Sequence, residues 1–360
     1  MNNVHSIDDT RTITEFKDIT FSGFKKTKVI EELIKCIVGD KVEAACNWCI
    51  ELICAGHFID LWNVIISVVS RNIHIGNPKL PIYIMMRFTQ FKDITQFKDI
   101  TQSIDDDGGE LMLRNNVKIR QLFAEIIFTL CRSRKKHNLD SIKIDTATEY
   151  NLAFISTKLK APDMEYAKNS FKPDDPKELF VALNEFAFNI TSNVRNNLEA
   201  CYWVEWMMVY EKTNKKKEPC IAHPRIFSNV LEKYQKDYIW IIWDVIINEC
   251  KNRNNVLITK IINSLVDMFS IRYSFTAKHR NKFVIYFAIS ILTEQYTMDV
   301  AINNDKDSLQ TNIHNINIMY NKLKPPSSTV VLGGNTSNNQ TKHININAKP
   351  KYEPFEVNRV

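Results

Sequence analysis

Apolar residues recur along this chain at helical spacing, in blocks separated by short polar breaks. From Lys28 to Val38 the residues Val29, Ile30, Leu33, Ile34, Ile37 and Val38 form an apolar face, and Gly39-Asp40 stops the run. Lys41 to Ala55 sets Ala45, Trp48, Leu52 and Ala55 on one side and Glu43, Asn47 and Glu51 on the other, which predicts an amphipathic helix with those three in solvent. Phe58 to Ser70 gives a third helix, Pro81 opens a fourth, and Arg114 to Arg134 gives a fifth. Between the last two, Thr89 to Asp106 holds a tandem hexad, TQFKDITQFKDI, followed by Ser-Ile-Asp-Asp; both pieces echo the polar N-terminal residues 1–23. A period of six fits neither strand nor helix, so residues 89–110 read as an inserted loop or helix extension.

The pattern then repeats. After a Lys-, Asp- and Pro-rich stretch, Glu178 to Ile190 is helical in spacing, and Ala200-Cys201-Tyr202-Trp203 follows in the register of Ala45-Cys46-Asn47-Trp48, 155 residues on. The Trp240 segment parallels the Trp62 segment, and Lys278 to Thr293 parallels Arg114 to Arg134. A duplication would need a 23-residue insertion in the second copy, visible as Glu211 to Leu231. Chance recurrence of Ala-Cys-x-Trp in helices needing small and large core residues accounts for the same echo. The expected layout is an N-terminal segment 1–23, a helical domain 24–138, a linker 139–176, a second helical domain 177–298 and a disordered tail 299–360. Within that tail Ile313, Ile316, Ile318 and Met319 have the spacing of a docking helix.

Composition strengthens the all-α expectation. Only 8 glycines occur in 360 residues, and Gly333 and Gly334 belong to the tail, so phosphate-cradling turns and strand-to-helix elbows have little to be made from. The net charge of +6 is mild, which permits nucleic-acid contact without demanding it. Eight cysteines sit mostly in apolar runs and no signal peptide opens the chain, which reads as reduced thiols in an intracellular compartment. No run is long and apolar enough to span a membrane.

Candidate chemistry is sparse. Cys46, Cys49, Cys54 and His57 have the count of a zinc site, but on a helix advancing ~100° per residue the three thiolates do not converge, so no metal is expected. Cys220 and His223 lack a second pair, and Asp105 to Glu110 lacks the ligand spacing of a calcium loop. Nucleotide-binding, nucleophile-elbow and zincin motifs are missing, and the expectation is a non-enzymatic chain with no cofactor and no small-molecule substrate. Basic clusters occur at 132–137, 215–217 and 278–282; Arg132, Arg134, Lys135 and Lys136 are the candidates for DNA contact, although a cationic last turn also suits the helix dipole. The residues singled out for the core are Trp48, Trp62, Trp203 and Trp240, with Gly76 and Pro78 shaping a turn.

Glu43 to Pro78, through Ala44, Ala45, Trp48, Gly56, Ile75, Gly76, Asn77 and Pro78, resembles the C-terminal helical domain of the RarA/MgsA branch of clamp-loader-like AAA+ proteins. It departs from that pattern by one residue missing between Gly76 and Asn77-Pro78, and by His57 where an acidic residue is usual. The resemblance implies a helical collar, here in tandem and without its ATPase: an assembly or adaptor module serving DNA replication or repair through self-association or protein partners, and through DNA. The Ile-, Asn- and Lys-heavy usage and the expanded hexads are similar in style to proteins of large nucleocytoplasmic DNA viruses. That implies a second reading as a virion or scaffold component, in host cytoplasm, nucleus or particle.

Overall fold

The helical blocks on either side of the connecting stretch share one buried core in the computed structural model, which describes residues 6–95, 109–136, 140–214, 220–227 and 230–323. Among the described residues helix is the only regular element; two isolated β-bridges, Ile19 with Lys25 and Ile221 with Asp237, build no strand. The first half holds α1 (Lys26–Val38), α2 (Val42–Cys54), α3 (Phe58–Ser67), α4 (Leu80–Thr95), the one-turn α5 (Gly109–Met112) and α6 (Val117–Arg132). Two short helices, α7 (Thr146–Glu149) and α8 (Leu152–Lys158), lead to α9 (Phe180–Ile190), α10 (Asn197–Asn214), α11 (Ile239–Asn252), α12 (Val256–Ser270) and α13 (Ala277–Thr293), and α14 (Lys306–Tyr320) follows. None of these helices is long and apolar enough to cross a membrane.

Local chemistry starts and stops these helices. Asn116 accepts from the Lys118 and Ile119 N–H groups at the start of α6, and Asn255 accepts from those of Leu257 and Ile258 at the start of α12. Pro81 sits in the first turn of α4, where its missing N–H costs nothing. α3 runs into a π-helical turn, Val68–Ile73, that ends at buried His74 with φ +52° and ψ −137°. Gly76 follows, and a Cβ there would lie 2.4 Å from the Arg134 carbonyl oxygen, so only glycine lets the two segments approach this closely. Pro78 is buried beside it.

The core runs through both halves without a break: α13 packs against α3 and the π turn, with the His74 ring 4.6 Å from that of Phe287, and α12 packs against α4. Trp62 stacks edgewise among Phe88, Phe91 and Phe123, so the first hexad is built into α4 as a helix extension that delivers Phe91 to the core. Residues 96–108, with the second hexad, lie outside the described residues.

Several expectations need correction. The N-terminal residues from 6 onward bury Phe16 and Phe21. The stretch 140–176 is clasped to the second half, where Glu185 accepts from the Lys160 and Ala161 N–H groups and Asn184 donates to the Asp163 carbonyl. The docking helix expected around Ile313 to Met319 is longer than that spacing suggests: α14 packs on α6 and buries Ile316 and Tyr320, while the rest of the expected disordered tail, 324–360, lies outside the described residues. Trp203, Trp240 and Trp62 are core residues, but Trp48 is only half-buried, edge-on to Phe24. Glu51, expected in solvent, is buried and accepts from the Ser22 N–H at 2.9 Å and the Ser22 hydroxyl at 2.6 Å, tying the N-terminal segment to α2. α12 was not anticipated at all.

Candidate functional site

The four basic residues proposed for DNA divide in two. Lys135 bends back so that its ammonium donates to the carbonyls of Leu130 and Cys131, the open end of α6, and burial lowers its pKa. Arg132 is ion-paired with Asp40 at 2.8 Å across the end of α1. Arg134 and Lys136 are exposed beside the Gly76 turn, where the Lys136 N–H donates to the Asn72 carbonyl. Of the other clusters, Lys215 to Lys217 lie outside the described residues. Lys278 and Lys282 point inward.

The cysteines are spread through the core. Cys46 faces Asn312 of α14 at 3.7 Å, while the His57 Nε2 meets the Ile19 carbonyl at 2.8 Å. Burial pushes the Cys46 and Cys220 thiols up to about 12 and raises Cys49, Cys54, Cys131 and Cys201 as well, which removes thiolate reactivity at neutral pH. No three His, Cys, Asp or Glu side chains converge as a metal site among the described residues.

α10 and α13 run antiparallel along a polar seam. At one end Asn197 donates to the Ser290 and Thr293 hydroxyls; midway Glu205 accepts from the Tyr286 hydroxyl and pairs with Lys282, both at 2.6 Å; at the other end Lys278 pairs with Glu211 at 2.7 Å. Lys278, Lys282, Tyr286 and Ser290 are spaced four apart, so a single stripe of α13 carries all of them. A second polar clasp lies nearby. Buried Arg225 holds Asp175 bidentately at 2.7 and 2.8 Å, meets Asp244 with its Nε and donates to the Ser170 carbonyl. Burial alone would raise the Asp175 pKa, but the Arg225 guanidinium and two backbone N–H groups bring it below the ordinary carboxylate value.

The open site is a cleft of about 920 Å³ where the ends of α9, α11 and α13 meet the start of α12. Its apolar lining comes from Ile258, Ile291, Leu292 and Met298, and two carboxylates, Glu249 and Glu294, also line it. Its walls carry Ser192, Asn193 and Arg195 after α9, Asn252 and Asn255 around the α11–α12 turn, and Gln295 and Tyr296 after α13. Arg253 braces it from behind, donating to the last carbonyls of two helices, Ile190 and Leu292, and to Glu249. Arg195, at φ +50°, turns the α9–α10 loop outward. Primary amides beside apolar side chains offer donors and acceptors that suit the alternating N–H and C=O groups of an extended peptide, Asn255 through its NH2 alone because its oxygen caps α12.

The cleft is not legible in the sequence because three stretches far apart along the chain, 191–195, 249–258 and 291–298, build it. The available signal was the run Asn252-Arg253-Asn254-Asn255 between two helices, together with Thr191-Ser192-Asn193. The family, curated-protein and solved-structure comparisons agree: no family model, no curated protein and no solved structure matches this chain.

Proposed function

We infer that this chain is a helical assembly or adaptor module that works through protein contacts, and that it takes an extended polypeptide segment in the amide-lined cleft. The observation that carries this reading is that Asn193, Asn252, Asn255 and Gln295 share the lining of one cleft with apolar Ile258 and Ile291. A relation to clamp-loader collars, and with it service in replication or repair, rests on the Glu43–Pro78 resemblance; the tight Gly76–Pro78 turn against Arg134 supports it. A DNA contact would fall to Arg134 and Lys136, with exposed Arg132 available only by giving up its ion pair with Asp40, since Lys135 is turned into the end of α6.

Display of a random peptide library to the full-length chain tests the reading. The expected result is a consensus that binds at least ~10-fold more weakly to Asn193→Leu/Asn252→Leu, a loss of about 1.4 kcal/mol. Absence of a consensus, or one indifferent to both substitutions, overturns it. Binding to forked duplex measured at two salt concentrations addresses the DNA contact, and Arg134→Gln/Lys136→Gln should lower the salt slope by about 2. If neither peptide nor DNA binds, the scaffold reading takes its place.

A further inference from the structure

The seam between α10 and α13 ends in a group of side chains whose arrangement exceeds what an ion pair needs. The Lys278 ammonium lies 3.1 and 3.0 Å from the two carboxylate oxygens of Asp237, so the nitrogen sits opposite the carboxyl carbon between them. Both side chains are sealed, Lys278 at 1% and Asp237 at 0% exposure, and the rings of Tyr238 and Phe275 roof the nitrogen at 4.7 and 5.8 Å. Three further groups are aimed at the pair. The Tyr273 hydroxyl donates to Asp237 Oδ2 at 2.6 Å, and the Ile239 N–H donates to Oδ1 at 3.1 Å. Glu211 Oε1 lies 2.7 Å from the lysine nitrogen and, at 16% exposure, is the member of the group in touch with solvent.

We propose that Lys278 and Asp237 join in an intramolecular amide bond, with Glu211 as the proton relay. Glu211 takes a proton from the Lys278 ammonium and passes it to the Asp237 carboxyl. The freed amine lone pair then forms the Nζ–Cγ bond while the charge growing on Oδ2 is held by the Tyr273 O–H. Glu211 moves a second proton from nitrogen to Oδ1, the Cγ–Oδ1 bond breaks, and one water leaves past Glu211. An ammonium and a carboxylate become a neutral amide and water, with no change of oxidation state. Two features favour the step. The Lys278 nitrogen is held 3.0 and 3.1 Å from the two Asp237 oxygens by the starts of α11 and α13, and the product removes two charges from a dry interior where each is costly to bury. Glu211 is then left to accept from the new amide N–H.

The bond would staple the chain just ahead of α11 to the first turn of α13. Mass spectrometry of the purified full-length protein under denaturing conditions tests it. The expected mass is one water below that of the sequence, and trypsin should release residues 237–251 and 273–280 as one branched peptide with Lys278 uncleaved. Full sequence mass overturns the proposal. A water-short mass without the branched peptide also overturns it, since an aspartyl succinimide elsewhere loses the same water. Glu211→Gln, which keeps the size and a hydrogen bond, should restore the full mass in a folded chain; an unchanged branched peptide in that variant overturns the relay. The wild-type reading requires no variant to fold.

Discussion

The two halves of the molecule share several helix pairings and differ at the third helix of each. α1 packs on α2 as α9 packs on α10; α2 and α4 both meet α6, as α10 and α12 both meet α13; α1 touches α3 as α9 touches α11. The third helices depart from this likeness, since α3 also packs on α2 while α11 packs on α12 and α13, and the fourth helices, α4 and α12, pack on each other. The seams differ in kind. Between α2 and α6 the contact is mainly apolar, Cys46, Cys49, Ile50 and Ile53 against Phe123, Ala124 and Ile127, with one buried charged side chain, Arg120, beside them. The matching seam of α10 and α13 carries Glu205, Glu211, Lys278, Lys282 and Tyr286. One pairing plan thus tolerates an apolar or an ionic filling, provided that each buried charge finds its partner.

The largest effect that would sharpen this comparison comes from the tryptophans in register. Trp203→Ala should cost about 3–5 kcal/mol, because a fully buried indole leaves a cavity, whereas half-buried Trp48→Ala should cost about 1–2 kcal/mol. Equal losses in urea unfolding would break the asymmetry between the halves. Next comes the seam itself. Glu205→Ala strands Lys282 and the Tyr286 hydroxyl and should cost about 3 kcal/mol, while Glu205→Met with Lys282→Met and Tyr286→Phe, which also removes the hydroxyl, should restore most of that. A triple substitution as damaging as the single one would mean that the ionic filling is not interchangeable with an apolar one.

A smaller loss, about 1–3 kcal/mol, is expected for Gly76→Ala, since the new methyl must push back the Arg134 carbonyl. An unchanged melting temperature would show that the turn yields freely. The smallest effect is pH-dependent and belongs to the first half. Burial lowers the His57 pKa, so the native state binds fewer protons than the unfolded chain below about 6.5. The stability tied to neutral His57 is present above that value and lost as pH falls through the lower, folded one. Melting temperature should therefore drop more steeply on acidification in wild type than in His57→Gln, and parallel curves would contradict it.

Most of the helices were legible because leucine and isoleucine spacing reports a buried face whatever lies opposite. α12 carried the same signs, with Asn255 as cap and Ile258, Ile261, Ile262, Leu265 and Phe269 in period, and needed only a reading past Asn252. What local pattern could not supply was the partner. Glu51 looks solvent-facing until Ser22, distant in sequence, arrives beneath it, and Lys278-His279-Arg280 looks like a basic patch until Asp237 and Glu211 close over its first member. The cleft was illegible for the same reason, being a property of helix ends brought together by packing. Trp48 was misjudged because a large apolar residue on an amphipathic face can lie at the edge of a core as readily as in it.

The docking of α14 on α6 sets an order of events during synthesis. Arg120, whose guanidinium lies 4.1 Å from the Tyr320 ring centre and reaches Asn317 at 3.3 Å, waits for residues made some two hundred positions later. While the second half emerges, the α6 face that will receive Ile316 and Tyr320 is uncovered, and a nascent chain in that interval shows apolar surface to whatever is nearby. The amino-terminal half is thus translated first and sealed last, so a ribosome stalled before residue 316 would hold an open bundle, the form in which a chaperone would meet it.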